Sequence, residues 1–210
     1  MSKLQDVENA VVSGKSKLVA GLVQEALDEG CSAPDILNGM INAMGIVGER
    51  FKKNEIFVPE MLVAARAMKK GVDVLKPHLA SGSAGVCGKA IIGTVAGDLH
   101  DIGKNLVAMM IESAGFEVID LGVDVPVEKF IETVKANPDV KIVGCSALLT
   151  TTMPALKSTV EALNSEDFRS HIKVMVGGAP ITQEFADEIG ADAYTADAAS
   201  AAEKAKELAA

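Results

Sequence analysis

Asp98 and His100 are the residues of this chain best suited to metal chemistry. They lie two apart in Gly97-Asp98-Leu99-His100-Asp101-Ile102-Gly103-Lys104. A neutral imidazole can bind a metal through one ring nitrogen while a carboxylate holds the other, which fixes the tautomer and tunes the ring's basicity. A lone His in a loop is more often only solvated or hydrogen-bonded, so the pair gains meaning from its position. The preceding residues, Lys89 to Ala96, are β-branched and small and read as a buried parallel strand. The following run, Asn105 to Ala114, has helical spacing and stops at Gly115. A strand, a polar loop and a helix put both side chains at the C-terminal edge of a sheet, where open α/β folds bind ligands.

Three further loops are expected at the same edge. Cys145-Ser146-Ala147-Leu148-Leu149-Thr150-Thr151-Thr152-Met153 follows a third strand, Gly177-Gly178-Ala179-Pro180 a fourth, and Tyr194-Thr195-Ala196-Asp197 a fifth. The Ser/Thr run would equally cap a helix opening near Pro154, and the Gly pair would equally form a tight turn. Together the loops outline a crevice of hydroxyls and backbone N–H groups suited to a large polar ligand with amide and phosphate arms.

Two sets of elements must position these loops. Residues 1 to about 79 read as helical. Leu18, Val19, Leu22, Val23, Ala26 and Leu27 form one apolar stripe; Ile36, Leu37, Met40, Ile41 and Met44 form another; Met61, Ala65, Met68, Val72 and Leu75 form a third. Gly30 closes one helix, and Ser32 and Pro34 open the next. With a short helix before Gly14, the expectation is a small four-helix bundle. Ser81-Gly-Ser-Ala-Gly85 reads as a linker, dividing the chain into 1–85 and 86–210. Beyond it, strands at 89–95, 117–121, 141–146, 172–176 and 192–194 alternate with helical runs. This pattern predicts an α/β fold, a doubly wound parallel sheet in flavodoxin-like order.

Among 210 residues, 49% are apolar and only 3% aromatic, so the core must be built from Ala, Val, Ile, Leu and Met. A formal charge of −9 without a basic run argues against nucleic acid and anionic membranes. No signal peptide or membrane-length apolar stretch is seen, so a cytoplasmic location is expected. Cys31, Cys87 and Cys145 are unclustered and fit neither a disulfide frame nor a Cys-x-x-Cys site. Cys145 reads as a buried small hydrophobe, and His78 and His171 as surface residues.

Asp98-x-His100-x-x-Gly103, Ser146-x-Leu148 and Gly177-Gly178 stand in the order and at the separations of the cobalamin-binding proteins, which this chain resembles. Gly48-Glu-Arg-Phe51 through Phe57-Val-Pro-Glu-Met-Leu62 is similar to the helical cap domain of methyltransferase corrinoid proteins, so the resemblance spans nearly the whole chain. It implies a cobalamin-binding domain over 86–210 behind a helical cap, with cobalamin held base-off/His-on. His100 would be the lower axial ligand of cobalt, Asp98 would accept its other imidazole N–H, and Thr152 stands where a Ser usually completes this relay. Ser146, Leu148 and Thr150 would line the slot for the displaced nucleotide tail, and Gly177 and Gly178 would let the backbone approach it. Asp101, Ile102, Gly103 and Tyr194 would also contact the cofactor, while Val58, Met61 and Leu62 would cover its upper face.

The resemblance further implies a methyl carrier, a subunit of a multi-component methyltransferase system that does not act alone. Its partners would be a substrate-specific methyltransferase, a second methyltransferase acting on tetrahydrofolate or coenzyme M, and a reductive activase. A cobalamin-dependent sensor or adapter is an alternative, as is an adenosylcobalamin mutase small subunit, although the helical cap disfavours the latter. His100-Asp101 also looks like the centre of an HD-type metal phosphohydrolase, but that site needs further His and Asp ligands and an all-helical setting.

Overall fold

The structure, a computed structural model, describes residues 2–79 and 87–210. The expected linker at 81–85 and the expected boundary after it lie outside the described residues. The chain divides into a helical unit and an α/β unit.

The helical unit contains α1 (Lys3–Val12), α2 (Ser16–Asp28), α3 (Ala33–Lys52) and α4 (Val58–Leu75). Their ends follow the local chemistry. Ser32 Oγ accepts the Asp35 N–H at 3.2 Å with Pro34 beside it, opening α3. The Cys31 N–H returns to the Ala26 carbonyl at 3.0 Å, closing α2. The Phe57 N–H donates to Glu60 Oε2 at 3.1 Å, opening α4. Helices α1 and α4 each pack on both α2 and α3. The interior is aliphatic and Met-rich, with Val7, Val19, Val23, Ile36, Met40, Met61, Met68 and Leu75 buried. The α2 stripe is narrower than its sequence suggests. Val19, Val23 and Ala26 point inward, whereas Leu18, one position and so roughly 100° round the helix from Val19, is 56% exposed.

In the α/β unit, β1 (Gly88–Val95), β2 (Phe116–Val125), β3 (Val140–Ser146), β4 (Lys173–Gly177) and β5 (Ala193–Tyr194) form one parallel sheet ordered β2-β1-β3-β4-β5. The intervening helices are α5 (Ile102–Ser113), α6 (Val127–Ala136), α7 (Met153–Asn164), α8 (Gln183–Ile189) and α9 (Ala198–Ala209). The expected flavodoxin-like order is therefore the one observed. Strand alternation splits the core between two faces. Ile91, Val143, Val174 and Val176 join Phe130, Leu156, Val160 and Leu163 in one cluster. The alanine-rich α9 packs on β3 and β4, and its small residues let the helix approach closely.

Register brings the strand ends level. Thr94 pairs with Ser146, Ser146 with Gly177, and Val176 with Tyr194. β2 runs four residues past the expected end at Leu121. Gly122 (φ +86°) and the non-glycine Asp124 (φ +52°) carry it through two register shifts against β1. Among the described residues, no helix is long and apolar enough to cross a membrane.

Candidate functional site

The loop between β1 and α5 folds around the Asp98 carboxylate, which is fully buried. Oδ1 accepts the His100 backbone N–H at 3.0 Å and lies 2.8 Å from His100 Nδ1. Oδ2 accepts the Leu148 N–H at 2.7 Å and is 2.8 Å from Thr152 Oγ1. One carboxylate thus ties the loop after β1 to the loop after β3. Thr94 Oγ1 adds a bond to the His100 carbonyl at 2.9 Å. Thr152 sits in a single 3₁₀ turn, Thr150–Thr152, ahead of α7, and makes no side-chain capping bond to that helix. Its hydroxyl faces Asp98 instead.

Burial alone would push the Asp98 carboxyl upward. The bonds from the Leu148 and His100 N–H groups, the imidazole and the Thr152 hydroxyl outweigh it and hold the group well below the usual carboxylate range. An ionised acceptor requires a donor at Nδ1, so an imidazole with one proton carries it there and presents a lone pair at Nε2. The ring is half exposed. Beside it Leu99 is 73% and Ile102 84% exposed, and Leu148 and Leu149 are also uncovered. An exposed imidazole nitrogen among bare aliphatic side chains suits a metal that arrives already held in a large apolar-faced ligand. Among the described residues, no group of three or more His, Cys, Asp or Glu could hold a metal ion by itself. Among the described residues, the further His and Asp ligands that an HD-type hydrolase site needs do not gather about His100.

The chain matches the B12 binding domain family over residues 88–205, and a second B12 binding domain family over residues 4–76. It is 46% identical to the dimethylamine corrinoid protein of Methanosarcina barkeri, over 98% of this chain and 96% of that one. The chain belongs to the methyltransferase corrinoid proteins. Among solved structures, a cobalamin-binding protein from Desulfitobacterium hafniense is similar with a TM-score of 0.82 and 32% identity, covering 98% of each chain. The methanol:cobalamin methyltransferase complex of Methanosarcina barkeri matches with a TM-score of 0.85 and 28% identity, over 99% of this chain and 79% of that one.

In this corrinoid protein the edge formed by the strand ends collects most residues singled out from the sequence. Ser146 ends β3 and is half-buried, Thr150 is exposed, and Tyr194 ends β5 half-buried. Gly177 ends β4, and its carbonyl accepts the Ala147 N–H at 3.1 Å. Gly178 is glycine by necessity: with φ +133°, a Cβ there would stand 1.7 Å from the Ala147 carbonyl oxygen. Asp101 is exposed and opens α5, its carbonyl accepting the Asn105 N–H at 2.7 Å. Gly103 is the opposite case to Gly178, because a Cβ there would meet nothing within 4 Å.

Val58, Met61 and Leu62 lie in α4 of the helical unit. Val58 is exposed and Leu62 half-buried, but Met61 is fully buried. The expectation that Met61 covers a ligand is therefore corrected: it sits on the inward stripe with Ala64, Ala65 and Met68 and offers no surface. Sequence reasoning also passed over Leu99 and Leu149, whose exposure only the folded loops reveal. It passed over the buried Lys104 and its partner Asp120 as well, although Lys104 closes the very motif that was singled out. Cys145 is buried in β3 as expected, and burial pushes its thiol up to about 12.

Proposed function

We propose that this corrinoid protein carries a methyl group from a methyltransferase acting on dimethylamine to a second methyltransferase acting on tetrahydrofolate or coenzyme M. A reductive activase is the third partner in this reading. The choice of dimethylamine follows from similarity to the dimethylamine corrinoid protein of Methanosarcina barkeri along almost the full length of both chains. The carrier role is that of the family.

The observation that carries the site assignment is the saturated Asp98 carboxylate, which holds His100 Nδ1 and leaves Nε2 for a metal. The residues fit cobalamin. His100 would take the lower axial position, base-off/His-on, and the exposed Leu99 and Ile102 would lie under the corrin. Neither packing nor a left-handed backbone requires glycine at Gly103, which supports close approach of a ligand there. Ser146, Leu148, Thr150 and the Gly177-Gly178 turn would receive the nucleotide tail, with Asp101 and Tyr194 at the margins. When bound, the cofactor supplies a cobalt centre that accepts and releases a methyl group.

The protein's own part is to hold and tune the axial base. Thr152 and Leu148 keep Asp98 ionised and fixed, Asp98 keeps the Nδ1 proton in place, and His100 can then bind or leave through Nε2 without losing its orientation.

The test uses purified protein loaded with cob(II)alamin. Electron paramagnetic resonance should show splitting from one axial nitrogen, and H100A should lose it while remaining folded. An unchanged H100A spectrum would mean that another base occupies the lower face. For the donor, the reduced holo-protein should be methylated from dimethylamine only when a dimethylamine methyltransferase is added. Methylation from trimethylamine or monomethylamine with their own enzymes at equal rate would overturn the choice of donor.

A further inference from the structure

The loop that carries His100 is held at both ends by the irregular end of edge strand β2. At its entry, the Gly97 N–H donates to Asp124 Oδ1 at 2.7 Å, and the Asp124 N–H donates to the Asp98 carbonyl at 2.9 Å. At its exit, Lys104 Nζ lies 2.6 and 2.5 Å from the two carboxylate oxygens of Asp120. Asp120 Oδ1 also accepts the Gly122 N–H at 2.8 Å. Asp98 to Gly103 is therefore bracketed by two carboxylates four residues apart on one neighbouring strand.

Two features are costly unless this bracket serves a purpose. Asp124 holds φ +52°, a left-handed conformation that is unfavourable for a residue with a Cβ. Here it turns both its N–H and its carboxylate toward the Asp98 loop. Lys104 has a side chain only 2% exposed, and a buried ammonium requires a paired, well-aligned anion. Its charge is matched by an Asp120 side chain that remains 41% exposed. The two register shifts of β2 against β1 set Val125 opposite Val95, and the loop beyond Val95 meets Asp124 through the Gly97 N–H.

We propose that Asp124, together with the Lys104–Asp120 pair, is a positioning device for His100: it fixes the peptide of Asp98, and through Asp98 it sets how firmly the imidazole is held as an axial base. Asp124 does not touch the imidazole. It acts by holding the backbone from which the Asp98 carboxylate projects. This inference rests on the reading of His100 as the lower ligand, and the following experiment separates failure of the one from failure of the other.

Full-length protein, D124N, D124G and K104M are compared. Asn keeps an acceptor at Oδ1 and tolerates the left-handed backbone; Gly tolerates the backbone but removes the acceptor. K104M fills the same space without the charge. Two measurements are made: hydrogen–deuterium exchange of the corrinoid-free proteins, and paramagnetic resonance with affinity for cob(II)alamin. Amides of residues 97–103 should exchange about tenfold faster in D124G and K104M, with β3 and β4 protection unchanged. Affinity for cob(II)alamin should fall about tenfold, because the loop spends less time in its competent conformation. The axial-nitrogen splitting should broaden or be partly lost, and D124N should restore all three readouts. If the unaltered protein shows no axial nitrogen, the reading of His100 fails. If it shows one, and D124G and K104M match it in splitting, affinity and exchange, the positioning role is overturned while His100 stands. A D124N as impaired as D124G would also overturn it, since the acceptor is then not what matters. Loss of β3 and β4 protection in D124G would shift the decision to K104M, whose Asp120 partner is left hydrated at the surface.

Discussion

Replacing Asp98 by Asn should damage the fold more than replacing His100 by Ala, although His100 is the proposed metal ligand. Asp98 receives four bonds, two at each oxygen, in a fully buried position. An Asn amide must put its NH₂ where one of those oxygens stood. At the Oδ2 position it faces the Leu148 N–H, and only the Thr152 hydroxyl can turn to accept from it. At the Oδ1 position it faces the His100 N–H, and the imidazole must move its proton to Nε2 to accept at Nδ1. Either way one backbone N–H faces a donor, and the remaining bonds lose their charge. An orphaned buried donor costs about 1–3 kcal/mol and charge-assisted bonds are about twice as strong as neutral ones, so the total is about 3 kcal/mol. H100A removes one bond from a half-exposed ring and leaves Asp98 three, a loss of about 1 kcal/mol.

The molecule supplies its own probe for this comparison. It has no Trp and a single Tyr, Tyr194 at the end of β5, so tyrosine emission follows the α/β unit and is blind to the helical one. In urea unfolding of corrinoid-free protein, a slope of about 2 kcal/mol/M converts these losses to midpoint shifts of about 1.5 M for D98N and about 0.5 M for H100A. Coinciding midpoints with equal slopes would refute Asp98 as the hub of the two loops. If His100 is the axial ligand, as proposed, the order reverses on cobalt coordination: D98N would retain that ligand and alter its basicity, whereas H100A would remove it.

Other outcomes follow from the same geometry. Because the folded Asp98 carboxyl lies below its unfolded value of about 3.9, the stability it contributes is present above about pH 4 and is lost as pH falls toward the lowered folded value. The midpoint gap between the unaltered protein and D98N should therefore narrow below about pH 4, and a constant gap in acid would contradict the assignment. G178A should fail to fold or lose more than about 3 kcal/mol, because its Cβ would collide with the Ala147 carbonyl in a left-handed backbone. G103A should leave the urea midpoint nearly unchanged yet weaken cobalamin binding in a titration; unweakened binding would remove the case for close approach there. A thiol reagent at pH 8 should modify Cys31 and Cys87 while Cys145 reacts only on unfolding, as mass spectrometry of the labelled peptides would show.

How much of this was legible in the sequence depended on whether an interaction is local. The Asp98–His100 bond spans two residues of one loop, and the strand before it and helix after it have clear periods, so the pair and its place at the sheet edge could be read directly. The Thr152 contact spans fifty-four residues. Periodicity offered only a helix cap for that hydroxyl, and it was the resemblance to a known motif that pointed to Asp98. The β2 extension was hidden because Gly122 ends a strand in most sequences, and nothing in Asp124 announces a left-handed backbone. Lys104 shows the limit most plainly. A lysine in the first turn of a helix normally reads as solvated, and only the sheet order, which sets β2 beside β1, brings Asp120 within reach and makes burial of the ammonium tolerable. Asp124, Asp120 and Lys104 thus escaped the sequence because their contacts join β2 to the loop and helix that follow the adjacent strand. That is also where a fold can adjust a loop whose Asp98–His100 pair is already determined by its own sequence.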